Sequence, residues 1–502
     1  MGRKNLRSDS LQPAPMGRVR PDTANGLYCY TVLIYMPVQS KPAPGRSLRI
    51  GLIDELRRRI AAGELTPGAA LPSVRRLARE RGISAFTAAE VYNVLTAAGL
   101  IEARRGRGYF VAGARALAPA RSDRGATADA LWERRLEAAA QPILADAGGG
   151  WLPADWQYGN GIRAALRSLA RHPLPTGGYG SPFGFDGLRD HFATQLSSRG
   201  LALHGEQLVL TQGASQALDL VVRGMLKPGD VVAVEDPSYP PTLELLRARG
   251  VRLIGIPRLA TGPDTEILAK VLRTRKVRAL FTNTTLQNPT GTTTETPVAH
   301  RLLELADRHG LLVVEDDIFA ELSPTPVLTL ATLDQCRRVV YVSSISKTIS
   351  PTLRVGFLAA PAEVAARLAR VKAVSALASS ELAERLVLGV LTQPHYRRHL
   401  ETLRRRLAST QARVQEALLS RGVELAFRPA AGMFLWGRLR SRDTVGKLWR
   451  SAVEAGVLLA PGELFRPDGR ATPYWRFNVA HCDGEELARF LDGLAKGPQD
   501  PD

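Results

Sequence analysis

Across residues 151–502, short β-branched or leucine-rich runs alternate with stretches of helical period. This alternation constrains the fold more than any other feature of the chain. The runs at 207–211, 231–235, 279–282, 311–315 and 339–343 are each ended by polar or glycine residues. Strands that are apolar on both faces belong in a sheet covered on both sides. The expected fold is therefore α/β: a mixed, mainly parallel sheet with helices on both faces. Helices are expected at 215–225 and 296–309, and 361–421 is almost wholly helical by pattern.

Residues 46–112 read as a separate small unit. Apolar residues Leu48, Leu52, Leu56 and Ile60 recur at helical spacing over 48–62. Pro67 and Gly68 break that pattern. Ser73 caps a short helix through Arg81, Gly82 ends it, and Ser84 caps the next, through about Ala97. Two short helices across a tight glycine turn form a helix-turn-helix pattern. Residues 100–103 and 109–112 then read as a hairpin whose tip carries Arg104, Arg105 and Arg107, a basic wing. The unit holds twelve Arg against six acids. A helix fits the major groove and wing arginines meet the backbone or minor groove, so double-stranded DNA is the expected partner. The net charge of the whole chain, +19, favours an anionic partner without identifying it, because only nine of the 67 basic residues are Lys and base composition inflates Arg.

The run "GELTPGAALPSVRRLARERGIS…T…VYNVLTAAGLIEARRGRGYFV" resembles the winged helix of GntR-type bacterial transcription regulators. The resemblance implies that Arg75 meets phosphate or a base. It makes 84–95, opened by Ser84 and Thr87, the recognition helix, and it places Arg105 and Arg107 on the wing. Ala85 stands where the pattern usually carries Arg, and Ala88 where it usually carries Val. The base sequence read is therefore expected to differ from that of typical members.

In the large unit Lys347 is the residue to explain. It sits in "SSISKT", just past a strand, in a chain poor in Lys. A lysine forms a Schiff base with an aldehyde once its amine is partly neutral, and burial with a nearby cation such as Arg354 pushes it that way. Four other features fall at or just beyond strand ends, where open α/β sheets bind ligands. Asp316 ends "LLVVE", "NPTG" begins at Asn288, Tyr239 lies in "EDPSYP", and Ala214 and Ser215 open a helix whose N–H groups suit a phosphate. With "GGYGSPFGFDGLRDH", "GASQALDLV", "AGMFLW" and "WRFNVA", they resemble the fold-type I pyridoxal-phosphate enzymes of the class I aminotransferase group. By that likeness Lys347 is the catalytic Schiff-base lysine and Asp316 pairs with the pyridine nitrogen. Asn288 bonds the ring hydroxyl and Tyr239 stacks on the ring. Ala214, Ser215, Ser344 and Arg354 hold the phosphate. Tyr179 reaches the phosphate of a partner subunit, and Arg476 grips the carboxylate of an amino-acid ligand. Two positions depart from the pattern: Phe319 replaces the usual Tyr three residues after the ring-binding Asp, and Thr352 replaces a common Gly.

The order winged helix, linker and aminotransferase-like domain resembles the MocR-like regulators. The resemblance implies a homodimer, with DNA units exchanged head-to-tail, that binds pyridoxal 5'-phosphate and an amine or amino-acid effector and regulates transcription. An active aminotransferase carrying a DNA-binding domain is the alternative, which Phe319 disfavours, and an empty-pocket scaffold is a third reading. The expected layout is a disordered basic leader at 1–45, the winged helix at 46–112, a flexible linker at 113–150 with a short helix at 128–140, and the cofactor and effector domain at 151–495. Met36 is an alternative start, and the apolar run 28–38 begins too late for a signal peptide. No run approaches the ~20 apolar residues of a membrane span. Cys29, Cys336 and Cys482 give neither a disulfide framework nor a zinc pattern, the eight His show no ligand spacing, and a cytoplasmic setting is expected.

Overall fold

The computed structural model describes residues 143–496 apart from 174–176 and 442–443, together with most of 52–111. The leader expected at 1–45 and the short helix expected at 128–140 lie outside the described residues. The chain divides into two compact units, Met1–Asp123 and Arg124–Asp502.

In the small unit, α1 (Val74–Arg81) and α2 (Ala85–Ala97) are joined by a three-residue turn. Ser73 caps α1 by accepting from the Arg76 N–H at 3.3 Å, and Gly82 ends it in the left-handed region at φ 61°. Ser84 Oγ accepts from the Thr87 N–H at 3.0 Å and starts α2. Ala88, Val91, Tyr92 and Leu95 line one face of α2 and are fully buried against Leu52, Ile53, Leu56, Leu77 and Ala78. The Tyr92 hydroxyl donates to the Pro72 carbonyl at 2.7 Å and ties the two helices together. β1 (Ile101–Arg104) and β2 (Gly108–Val111) pair antiparallel from Ile101↔Val111 to Arg104↔Gly108, as a wing requires.

The large unit is built on an eight-stranded sheet in the order β3-β10-β9-β8-β7-β4-β5-β6. Its strands are β3 (Leu208–Thr211), β4 (Val231–Asp236), β5 (Arg252–Leu259), β6 (Gly262–Pro263), β7 (Ala279–Thr282), β8 (Leu312–Asp316), β9 (Val339–Ser344) and β10 (Gly356–Ala359). Strands β5, β4, β7, β8 and β9 run parallel, and β10 runs antiparallel to both β3 and β9. Successive residues point to opposite faces, and both faces are covered. Leu210, Leu280, Val313 and Tyr341 enter one core cluster, while Val209, Phe281, Val314 and Val340 enter another. Helix α3 (Ala214–Met225) follows β3, and the 361–421 stretch forms α4 (Ala362–Ala376), α5 (Glu381–Leu391) and α6 (Tyr396–Ser420).

Two features differ from expectation. A separate four-stranded antiparallel sheet, order β11-β12-β14-β13, comprises β11 (Glu424–Leu425), β12 (Phe434–Arg438), β13 (Ala460–Pro461) and β14 (Tyr474–Asn478). Two of its strands are two residues long, too short to show a period. The second difference is a correction to the linker. Residues 143–150 are packed into the large unit: Ala145 bridges Val457, the Gly148 N–H donates to the Leu458 carbonyl at 2.7 Å, and Ala147 is fully buried. The Ala and Gly that made this segment read as linker are what let it lie flat. A Cβ on Gly148 would stand 2.4 Å from the Ala460 nitrogen.

Candidate functional site

The ends of β3, β4, β7, β8 and β9 share one edge of the sheet, and the expected cofactor residues sit on them or on the turns that follow. Asp316 is the last residue of β8 and is buried. Lys347 lies in the turn after β9, where its Nζ donates to the Gly150 carbonyl at 2.6 Å. Burial, then the Arg476 charge, lower the Lys347 pKa to about 8, with Arg354 adding to the effect and Asp316 opposing it. Burial and the neighbouring Asp317 raise Asp316 to about 7, while Lys347 pulls it down. The lysine and the carboxylate are thus both poised to change charge near neutral pH.

Ser344 is buried at the end of β9, and its hydroxyl donates to the Val355 carbonyl at 3.0 Å. Arg354 takes the left-handed backbone at φ 51°, and its guanidinium donates to the Gln212 carbonyl at 2.9 Å. Thr352, at the position where the pattern usually has Gly, needs no positive φ. Its N–H is capped by the Ser350 hydroxyl at 3.3 Å, and the left-handed residue is Arg354 itself. Ala214 and Ser215 open α3 directly after Gly213, whose φ is 78°. Tyr239 is half-buried at the start of the helix Pro240–Ala248. Tyr179 stands apart from this group and is 80% exposed, between Gly178 and Gly180.

Asn288 and Arg476 meet directly. Arg476 Nη1 donates to Asn288 Oδ1 at 2.9 Å, and its Nη2 donates to the Gly148 carbonyl at 2.5 Å. The guanidinium lies 4.6 Å from the Phe434 ring centroid and 5.0 Å from that of Phe465. Phe319 packs edge-on against Phe434 at 5.7 Å and is 2% exposed, so an apolar ring occupies this position in the core.

The sequence reading missed two groups of residues. The first is the strip from Gly148 to Trp151. Its carbonyls accept from Arg476 (Gly148), Asn478 (Gly149, 3.0 Å), Lys347 (Gly150) and Asn478 again (Trp151, 2.7 Å). Three consecutive glycines just ahead of Trp151 were the available signal. The second is a buried pair, Arg258–Glu235 at 2.7 Å, with side chains 0% and 1% exposed. Arg258 also donates to Thr292 Oγ1 at 2.9 Å and to the Asn283 carbonyl at 3.2 Å. Gln287 donates to the other Glu235 oxygen at 2.9 Å and accepts from Thr290 Oγ1 at 2.7 Å. This network spans the loop that carries Asn288. No sequence signal marked it, because an isolated Arg in an eight-residue strand reads as a surface residue.

In the small unit Arg75 is exposed on α1. Arg76 pairs with Glu80 at 2.7 Å, and Arg104 pairs with Glu102 at 2.6 Å while lying over the Phe110 ring. Ser84 and Thr87 share a 2.8 Å hydroxyl contact. Arg105 and Arg107 lie outside the described residues.

The sequence profile of the aminotransferases of class I and II matches residues 161–494. The chain belongs to that family. The profile of the gntR family of bacterial regulatory proteins matches residues 50–111. The protein is therefore a GntR-type DNA-binding regulator fused to a class I aminotransferase-like domain, with MocR-like regulators among its relatives. It is 27% identical to the uncharacterized HTH-type transcriptional regulator YdfD of Bacillus subtilis, over 88% of this chain and 94% of that one. It is 29% identical to the probable rhizopine catabolism regulatory protein MocR of Rhizobium meliloti, over 82% of this chain and 85% of that one. The aminotransferase-like domain superposes on LysN, the α-aminoadipate aminotransferase of Thermus thermophilus, whose structure holds N-(5'-phosphopyridoxyl)-L-leucine. That likeness has a TM-score of 0.65 and 29% identity, and covers 70% of this chain and 91% of that one.

Pyridoxal phosphate is the cofactor of the aminotransferase-like domain, and the residues of this GntR–aminotransferase fusion fit it. Asp316 Oδ1 is buried with no hydrogen-bond donor among the described residues, as a carboxylate reserved for a protonated ring nitrogen would be. Gly213 and Gly356 form a bare cradle. A Cβ at 213 would stand 2.8 Å from an Arg354 nitrogen, and one at 356 would stand 2.9 Å from the Ala214 nitrogen. Backbone N–H groups at the start of α3 and the Arg354 guanidinium are thereby brought close enough to share one phosphate. Among the described residues there is no helix long and apolar enough to cross a membrane, and no metal-ligating cluster.

Proposed function

We propose that this chain is a cytoplasmic, homodimeric, sequence-specific transcription regulator. In this reading pyridoxal phosphate on Lys347, or an amino compound gripped by Arg476, sets how the winged helices engage DNA. The observation that carries the reading is the convergence of Lys347, Asp316 and Asn288 at one sheet edge with Arg476 from the smaller sheet, in a chain that also carries a GntR-type winged helix. When bound, the cofactor supplies an aldehyde that joins covalently to amines and an electron-poor ring.

The chain's own residues do the rest. Lys347 holds the aldehyde end through a nitrogen that is already partly neutral near pH 8. Asp316 pairs with a protonated ring nitrogen, whose positive charge would offset the burial and the Asp317 charge that raise the acid to about 7, Asn288 bonds the ring hydroxyl, and Tyr239 covers the ring. The Ala214 and Ser215 N–H groups, Ser344 and Arg354 hold the phosphate. Arg476, whose guanidinium lies against the Phe434 and Phe465 rings, offers a bidentate fork to a carboxylate, a task Lys performs poorly. Tyr179, with Val374 (93% exposed) and Leu377 (52%), marks the surface on which a second copy packs. Gly180 lies beside Ala378, which places the Tyr179 loop next to these apolar residues. In this reading the DNA units exchange between protomers. A ligand shifts the regulator only by its difference in affinity for the two DNA-binding states.

Cofactor loading is expected to rise with pH up to about 8 and then level off. Below that value each unit of pH leaves about tenfold less neutral Lys347 amine. A stopped-flow series from acid to alkaline pH checks this, and a rate that falls over that range contradicts it. DNA affinity is expected to fall by on the order of a thousandfold between about 50 and 200 mM salt, if six or more phosphates are neutralised. Footprinting of the region upstream of the chain's own gene, with and without cofactor and a panel of amino acids, tests the whole reading. A footprint unchanged by every one of these additions overturns it.

The second reading, a working aminotransferase, is favoured by the joint presence of Lys347 and Arg476 and by the likeness to LysN. Sustained keto-acid formation at about 1–10³ s⁻¹ would establish it.

A further inference from the structure

Helix α2 carries no Arg or Lys. Its sequence is AFTAAEVYNVLTA, and Glu90 is its one charged residue. Phe86, in its first turn, is 76% exposed. Ala85 is exposed and Ala89 half-buried, whereas Ala88, Val91, Tyr92 and Leu95 turn the other way into the core. Phe86 and Ala89 are three residues apart and share a face. The hydroxyls that open the helix are partly engaged within it. Ser84 Oγ accepts from the Thr87 N–H, and the two side-chain oxygens lie 2.8 Å apart. Among the described residues, exposed cations lie on α1, including Arg75 and Arg79, and on the wing strand at Arg104. The leading end of α2 is thus an apolar patch beside a basic one. The basic part suits the phosphate backbone, and the apolar part suits the one methyl group that the major groove displays.

We propose that Phe86, flanked by Ala85 and Ala89, reads thymine through its C5-methyl group. This step rests on the reading of the small unit as DNA-binding with α2 in the major groove. It assigns base choice to an apolar contact and leaves the arginines of α1 and the wing to the backbone. The half-sites then carry thymine at the position under Phe86. Guanine contacts through a cation are absent from α2, because it has no cation to make them.

The test uses the full chain loaded with pyridoxal phosphate. A pool of random duplexes is selected for binding, and the recovered site is resynthesised with deoxyuridine in place of thymidine, one position at a time. Loss of one methyl contact is expected to weaken binding about fourfold per half-site, and on the order of tenfold when both half-sites are substituted. Phe86→Ala should weaken binding to the thymine duplex by a similar factor and be indifferent to the deoxyuridine change. Phe86→Leu should keep most of the discrimination. Because Phe86 is exposed, both variants should unfold at the wild-type temperature. Three outcomes overturn the inference: salt-dependent binding with no deoxyuridine effect at any position, an equal effect in wild type and Phe86→Ala, or a change in oligomeric state with DNA binding intact. Failure to bind any duplex in a salt-dependent way defeats the DNA-binding reading itself and is distinguished from these.

Discussion

Lys347→Ala protein, saturated with pyridoxal phosphate and reduced with borohydride, is expected to carry no covalent adduct, whereas the wild type carries one on the peptide containing Lys347. The expectation rests on where the amine sits. Burial and the Arg476 charge bring its pKa to about 8, so an appreciable fraction is neutral at physiological pH. An exposed lysine, at about 10.4, would be almost wholly protonated there. Lys372 is also brought to about 8 by burial, but it lies inside the packing between α4 and β3, where its Nζ donates to the Leu210 carbonyl at 2.8 Å. Mass spectrometry of the reduced, digested protein separates the two lysines. An adduct that persists in Lys347→Ala would remove the basis for every role assigned to the site. The variant should fold, because Lys347 donates a single hydrogen bond, to a backbone carbonyl.

Arg258→Met is expected to destabilise the large unit by about 3–5 kcal/mol, the largest effect on stability among the substitutions considered. The guanidinium is wholly buried, and its removal leaves the Glu235 carboxylate facing Thr282 and Gln287 without its cation. The double variant Arg258→Met/Glu235→Leu should recover most of that loss, because replacing both charges removes the stranded one. Denaturant unfolding of the full chain with and without cofactor measures both. A loss below about 1 kcal/mol for the single variant would mean that water reaches Glu235. The network also holds the loop before Asn288, so cofactor affinity should fall in the single variant even where the protein remains folded.

Much of the sheet was legible because its central strands are covered on both faces, and such strands spell themselves as unbroken apolar runs. β7 and the helix Thr296–His309 occupy the predicted residues, and β4, β8 and β9 fall within a residue of them. The residues at the strand ends could be found because strand ends are where this kind of sheet binds ligands. β10 was not foreseen: it is four residues long and opens with Gly356, so it offers no period and little length. The antiparallel sheet that bears Arg476 escaped for a similar reason, although "AGMFLW" and "WRFNVA" mark its two longer strands. The partnership of Arg476 with Asn288 joins residues 188 positions apart, and local pattern carries no information about such contacts. The glycine strip at 148–150 has the composition of a tether. Only the atoms of the β13 segment above Gly148 explain why side chains are absent there.

That strip has a mechanical corollary. Lys347 and Arg476, the two cations to which the proposed function assigns the ligand, are engaged with carbonyls two residues apart on the same short piece of backbone. In the proposed reading, a carboxylate bound by Arg476 would compete with Gly148, and Lys347 engaged by the cofactor would give up its bond to Gly150. Both events would loosen the backbone at 148–150, whose carbonyls these two side chains hold. Occupancy would therefore be felt first as slack in that glycine strip.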